Sequence, residues 1–218
     1  MIKLFTHSDR DGQGCAVLAK LAFEDNVDIE YCNYDDINDK VKDFCANYCR
    51  DRNVREKYEH VYITDISITE ELARKINNLS LFEHITLLDH HPTALKLNKF
   101  SWCKVSVDNS EGLKTSGTEL FYQCLLSTNC FSDKLKSSEY LKRFVELTRD
   151  YDTWRWTTLG ENGLICKQLN DLMYIYGMDN FTDWCIKGIL NKSFPRLSLE
   201  DQIVLSIRQQ EIENLFRK

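Results

Sequence analysis

Short apolar runs alternate along the first half of the chain with longer stretches at helical spacing. Ile85-Thr86-Leu87-Leu88 is apolar and partly β-branched, which predicts a strand buried on both faces of a parallel sheet. Ile2-Lys3-Leu4-Phe5-Thr6 and His60-Val61-Tyr62-Ile63-Thr64 read the same way, and Asp28 to Tyr34 alternates with Ile29, Tyr31 and Asn33 on one face. Between them, Gln13 to Glu24 is apolar on most sides, as a helix packed on a sheet would be, and Gly12 and Gly14 permit a tight turn into it. Asp36 to Arg50 carries Ile37, Val41, Phe44 and Cys45 at helical spacing, and Thr69 is placed to cap a helix over Glu70 to Asn77. Asp51 to Glu59 has a mixed charge run and reads as an exposed connection, and Ser101 to Val107 reads as an edge strand. This alternation predicts an α/β fold with a doubly wound, mostly parallel sheet.

From Thr115 onward the pattern is helical. Ser116 to Leu126, Ser137 to Thr148, Leu164 to Tyr176, Asn180 to Leu190 and Leu199 to Phe216 are all expected as helices, with Thr115-Ser116 capping the first. In the last, Leu199, Ile203, Ile207 and Ile212 fall near one face and call for a partner surface.

Composition narrows the function. A formal net charge of −6 argues against a platform for long duplex nucleic acid, yet leaves room for a small phosphate-bearing substrate if cations supply local positive charge. The nine cysteines are odd in number and irregularly spaced, so they read as reduced thiols, mostly small buried apolar residues. A zinc pair at Cys45 and Cys49 lacks a second ligand pair. No apolar run approaches the roughly 20 residues of a membrane span, and the N-terminus lacks the basic-then-apolar pattern of a secretory signal. The expected location is cytoplasmic, away from the membrane.

The chemistry lies where predicted strands stop. The first opens into His7-Ser8-Asp9-Arg10-Asp11-Gly12, the third into Asp65, and the fourth into Asp89-His90-His91-Pro92, where Pro92 ends strand pairing. Ligands of open α/β sheets sit outside the carboxyl ends of the strands. Imidazole is largely unprotonated at neutral pH and free to bind. Carboxylates mixed with imidazoles suit manganese, magnesium or zinc, and clustered carboxylates raise one another's pKa unless cations neutralise them. Two divalent ions roughly 3.5–4 Å apart, sharing one ligand, account for such a cluster and suit an in-line attack on phosphorus. A further carboxylate is expected from Leu147 to Trp154, with Asp150 and Asp152 both candidates. Arg10 is a candidate for neutralising a phosphate. His60 and His84 read as structural. Trp154 and Trp156 read as core anchors, with base stacking as the alternative.

Taken together, HSDRDG at residues 7–12, ITD ending at Asp65, Asp89-His90-His91 and DYDTW at residues 150–154 resemble the ordered motifs of the DHH phosphoesterase superfamily. The match runs across residues 1 to about 155 and is most similar to the branch that degrades short oligoribonucleotides, the nano-RNases. The resemblance implies a DHH catalytic domain at 1–155 and a helical extension at 156–218. It implies that His7 and Asp9 hold one metal, Asp11 and His90 the other, and Asp65 both, with Asp152 rather than Asp150 as the fourth-motif ligand. His91 would contact the scissile phosphate and Asp89 would orient an imidazole. The implied cofactors are two divalent cations, manganese first and magnesium second. The implied reaction is hydrolysis of short oligoribonucleotides to nucleoside monophosphates. Cyclic dinucleotides or bisphosphorylated nucleotides are alternative substrates, and a non-catalytic scaffold is the rival from another class. Relatives carry a second, substrate-gripping domain with a glycine-rich motif. No Gly-Gly dipeptide occurs here, so a homodimer or a separate partner is expected to supply that grip.

Overall fold

The computed structural model describes residues 1–79 and 81–216, with the side chains of Phe82 and Phe216 left aside. The chain divides into two compact units, Met1–Lys136 and Ser137–Lys218.

In the first unit, β1 (Ile2–His7), β2 (Val27–Cys32), β3 (His60–Thr64), β4 (Ile85–Asp89) and β5 (Cys103–Val105) form one sheet in the order β2-β1-β3-β4-β5. Every pairing is parallel: Leu4 lies between Ile29 and Tyr62, and Ile63 opposite Leu87. The expected parallel α/β sheet is therefore present. Its connections include α1 (Arg10–Phe23), α2 (Ile37–Arg50), α3 (Arg52–Lys57), α4 (Glu70–Asn78) and a 3-10 stretch over Pro92–Lys99, and α5 (Gly117–Ser127) and α6 (Asp133–Lys136) follow β5.

Alternation along the strands sorts the two faces. Phe5, Val61, Ile63, Leu87 and Val105 join Ile37 and Val41 of α2 and Ala73 and Ile76 of α4 in one buried cluster. On the other face Tyr62 meets Phe121 of α5 at 5.0 Å between ring centroids. Lys3, almost fully buried on β1, pairs with Asp28 at 3.2 Å and Glu30 at 2.9 Å on β2, so its burial is compensated.

Helix starts follow side-chain caps. Asp9 Oδ1 accepts from the amides of Asp11 and Gly12, which begins α1 at Arg10, three residues before the apolar pattern does. Thr69 caps α4 and Ser116 caps α5, both as expected. Asp51 accepts from the Asn53 amide and turns part of the expected Asp51–Glu59 connection into α3. The expected edge strand shrinks to the three residues of β5.

The second unit is helical: α7 (Glu139–Asp152), α8 (Glu161–Tyr176), α9 (Met178–Leu190) and α10 (Leu199–Phe216). Phe194 fills its core between Phe144 at 5.5 Å and Trp184 at 5.9 Å. Reciprocal bonds start α10: Ser198 N donates to Asp201 Oδ2 at 2.6 Å and Asp201 N to Ser198 Oγ at 3.1 Å. Within this unit α10 buries Asp201 and Leu205, whereas Leu199, Ile203 and Ile207, the face expected to dock, are exposed. The Tyr176 hydroxyl, which donates to Asp201 Oδ1 at 2.7 Å, explains why the polar residue faces inward. Trp154 is likewise no core anchor: its ring is 71% exposed and its backbone is left-handed at φ 61°.

Candidate metal centre

The order in which strands are added reverses at β1, with β2 on one side and β3 on the other. The crevice at such a reversal, beyond the carboxyl ends of the strands, is where this sheet class holds ligands. The carboxyl ends of β1, β3 and β4 deliver His7, Asp65 and Asp89-His90-His91 to that edge.

Asp65 stands between two imidazoles. His90 Nε2 is 3.1 Å from its Oδ1, and His7 Nδ1 is 3.9 Å from its Oδ2. The residue adopts φ 60°, an uncommon conformation for a non-glycine residue, while its amide still donates to Leu88 O at 2.9 Å. The turn thus aims a fully buried carboxylate along the sheet edge. His7 Nδ1 also lies 2.8 Å from Asp9 Oδ2. Donor atoms of His7, Asp9 and Asp65 lie within 4.8 Å of one another, and so do those of Asp65, Asp89, His90 and His91.

Asp11 is buried on α1, with its Oδ2 3.7 Å from His90 Nε2. Its two oxygens accept from Gly117 N at 2.6 Å and Thr118 N at 3.0 Å, so the first turn of α5 closes over it. A Cβ added to Gly117 would lie 2.4 Å from Asp65 Cβ, and one added to Gly12 would lie 2.0 Å from His7 O. Both positions exclude any side chain.

Asp89 organises the neighbouring histidine. Its Oδ1 accepts from His91 Nδ1 at 2.7 Å and His90 N at 2.8 Å, and Oδ2 accepts from the Ser67 hydroxyl. Burial opposes ionisation of Asp89, but the bond and charge of His91, with the Ser67 bond, hold its carboxyl below the usual range. An ionised Asp89 places the His91 proton on Nδ1 and turns Nε2 outward, 3.3 Å from the Tyr34 hydroxyl. Burial, reinforced by the charge of His91, depresses the His90 pKa despite the opposing charge of Asp11. Burial also opposes ionisation of Asp9, yet the bond and charge of His7 with the Gly12 amide bring it down to about 2.

The donor set fits divalent cations. Carboxylate oxygens interleaved with imidazole nitrogens, all within a few ångströms, form the mixed oxygen and nitrogen field that suits manganese, magnesium or zinc. The metal-competent groups in this unit are built from histidine and aspartate. Cys45 is buried, and burial pushes its thiol up to about 12.

Other expected residues fall as follows. Arg10 is 3% exposed and its Nη1 donates to Gln13 Oε1 at 2.8 Å, which places its guanidinium inside the protein. His60 Nε2 lies 2.9 Å from Thr86 Oγ1 and His84 Nδ1 3.2 Å from Glu59 O, both structural contacts. In the second unit, Asp150 is bound by Arg149 at 3.2 Å and Arg155 at 3.0 Å, and Asp152 ends α7 half-buried. Sequence reasoning missed Tyr34, Ser67 and the amides of Gly117 and Thr118. Tyr34 follows the end of β2, so the strand-end rule already contained it. The α5 contact joins positions 106 residues apart, and nothing local announces it.

Fold and site define a doubly wound α/β protein whose histidine and aspartate residues gather at the switch point. No family model matches the chain. Oligoribonuclease NrnB of Bacillus subtilis (strain 168) is 33% identical over 227 residues, taking in 100% of this chain and 52% of that protein. The comparison agrees with the motifs and supports a nano-RNase-like relationship of the chain to the DHH superfamily. A crystal structure of an uncharacterized protein from Helicobacter pylori G27 matches with a TM-score of 0.67 at 18% identity, over 100% of this chain and 62% of that one, a likeness of fold. The chain spans about half the length of the curated relative. Among the described residues, no helix is long and apolar enough to cross a membrane.

Proposed function

We propose that this chain is a metal-dependent phosphoesterase that hydrolyses short oligoribonucleotides to nucleoside monophosphates. The observation that carries this reading is the position of the Asp65 carboxylate between His7 and His90, with Asp9 and Asp11 alongside. In this reading His7 and Asp9 hold one cation, Asp11 and His90 the other, and Asp65 faces both. Asp152 is carried over from the DYDTW motif, and the two guanidinium partners of Asp150 favour that choice. The bound ions, manganese in this reading, would neutralise phosphoryl charge and acidify a water.

The protein's own residues do the rest. Buried carboxylates at fixed strand ends place the negative field before any ligand arrives, so little reorganisation accompanies binding. His91 presents Nε2 to the phosphate or the leaving oxygen, and Asp89 fixes its tautomer and ring plane. In this reading the enzyme works in the cytoplasm. Manganese-dependent release of mononucleotides from a labelled RNA dinucleotide tests it, with Asp65→Asn and His90→Ala run beside the parent. Turnover in the parent that is lost in both variants is the expected result. A parent that binds manganese and leaves every short oligonucleotide intact would refute it.

A further inference from the structure

A cleft of about 390 Å³ opens beside His91 within the sheet unit. Tyr34 of the β2–α2 connection, Asn38 in the first turn of α2, Thr69 ahead of α4, and Thr93 and Lys96 beyond Pro92 contribute to its walls. The volume lies within the range of small-ligand pockets. Hydroxyl and amide groups dominate its polar lining. The lining carboxylate, Asp89, has its oxygens bound to Ser67, His91 and the His90 amide. Lys96 is exposed and makes no ion pair among the described residues. An ammonium at the lip of a largely neutral cleft, next to a donor set for cations, is placed to receive an anion.

Tyr34 stands on the border between cleft and metal centre. Its side chain is 61% exposed, and its ring centroid lies 4.9 Å from that of His7 and 6.2 Å from that of His91. An exposed aromatic ring beside the reacting position offers a stacking surface that any base can use.

Resting on the phosphoesterase reading, we propose that this cleft is the subsite for the nucleoside flanking the scissile phosphate, with Tyr34 packing the base and Lys96 pairing with a second phosphate. The substrate class narrows accordingly, to oligonucleotides that carry a phosphate beyond the one cleaved. A dinucleotide meets that condition only when one end is phosphorylated, and a trinucleotide meets it unaided.

Calorimetric binding by the full chain in metal-free buffer tests this without turnover. The ligands are diadenylate, its 5′-phosphorylated form and its 3′-phosphorylated form, titrated into the parent, Lys96→Gln and Tyr34→Leu. In the parent, a terminal phosphate at one end tightens binding about tenfold. Lys96→Gln brings that ratio close to one, and Tyr34→Leu weakens all three ligands about tenfold. Equal binding of the three ligands by the parent, or an unchanged ratio in Lys96→Gln, overturns the proposal. Lys96 is exposed, so loss of fold does not enter the comparison. The parent reading is checked separately with p-nitrophenyl methyl phosphate and manganese. No turnover there counts against the phosphoesterase, while the binding ratio still decides the subsite.

Discussion

The amide of Gly117 donates to Asp11 Oδ2 at 2.6 Å, and the same glycine leaves no room for a Cβ against Asp65. One residue of α5 therefore fixes two acidic groups of the centre. Asp11 also accepts from Thr118 N, and the Thr118 hydroxyl donates to Asp11 O at 2.7 Å. A carboxylate at a helix N-terminus gains from the amides and from the helix dipole.

Replacing Gly117 by alanine would force backbone and the Asp65 carboxylate apart. The expected cost is about 1–3 kcal/mol of stability, as for other overpacked sites, together with loss of manganese affinity. Urea denaturation and metal titration of Gly117→Ala measure the two effects. Wild-type values for both would show that α5 can retreat without consequence.

Asp89→Asn keeps the shape of the side chain and removes the charge that holds the His91 proton on Nδ1. Turnover of a short oligonucleotide should fall about 10- to 100-fold, the usual effect of removing a group that orients a working histidine. Bound manganese should remain close to the parent level. A matched fall in metal content would instead assign Asp89 a ligand's role.

Cation binding should also stabilise the fold. Ions that relieve repulsion among Asp9, Asp11 and Asp65 bind the native state alone, and at a hundredfold excess over Kd this contributes about 2.7 kcal/mol. The melting temperature should rise on adding manganese and fall back with chelator, and Asp65→Asn should blunt the shift. A melting curve indifferent to manganese would contradict a native cation site.

Away from the centre, the Lys3–Asp28 pair predicts acid sensitivity. Burial acts to raise the Asp28 pKa, but the Tyr58 hydroxyl bond and the Lys3 ammonium outweigh it and leave the folded value depressed. Its stabilisation is therefore fully present above the unfolded value of about 3.9 and is lost as pH falls through the folded value. The stability gap between the parent and Asp28→Asn should shrink as pH drops below about 4. A gap that is constant with pH would mean the pair contributes nothing through charge.

Much of this centre is legible in the sequence because its donors sit at the ends of apolar strand runs. His7, Asp65 and His90 could be placed on a common edge before any coordinate, since parallel strands carry their carboxyl ends to one side. Helix boundaries were less legible: Asp9 starts α1 early, and Asp51 makes a short helix from a run read as loop, because one side-chain bond to an amide outweighs the charge pattern. The inward turn of α10 onto Asp201 was hidden for the opposite reason, as a buried polar pair overruled an apolar stripe. Tyr34 and Lys96 carry no periodic signal and become interpretable only once the cleft is seen.

The parallel order of the sheet has a consequence for the chain during synthesis. β1 precedes the other four strands in the chain yet lies inside the sheet, and its neighbour β3 arrives only with residues 60–64. His7 then waits for Asp65, both wait for His90, and Asp11 waits for the start of α5. No fragment that stops short of α5 holds the full donor set, so the centre cannot be complete before that helix has been made.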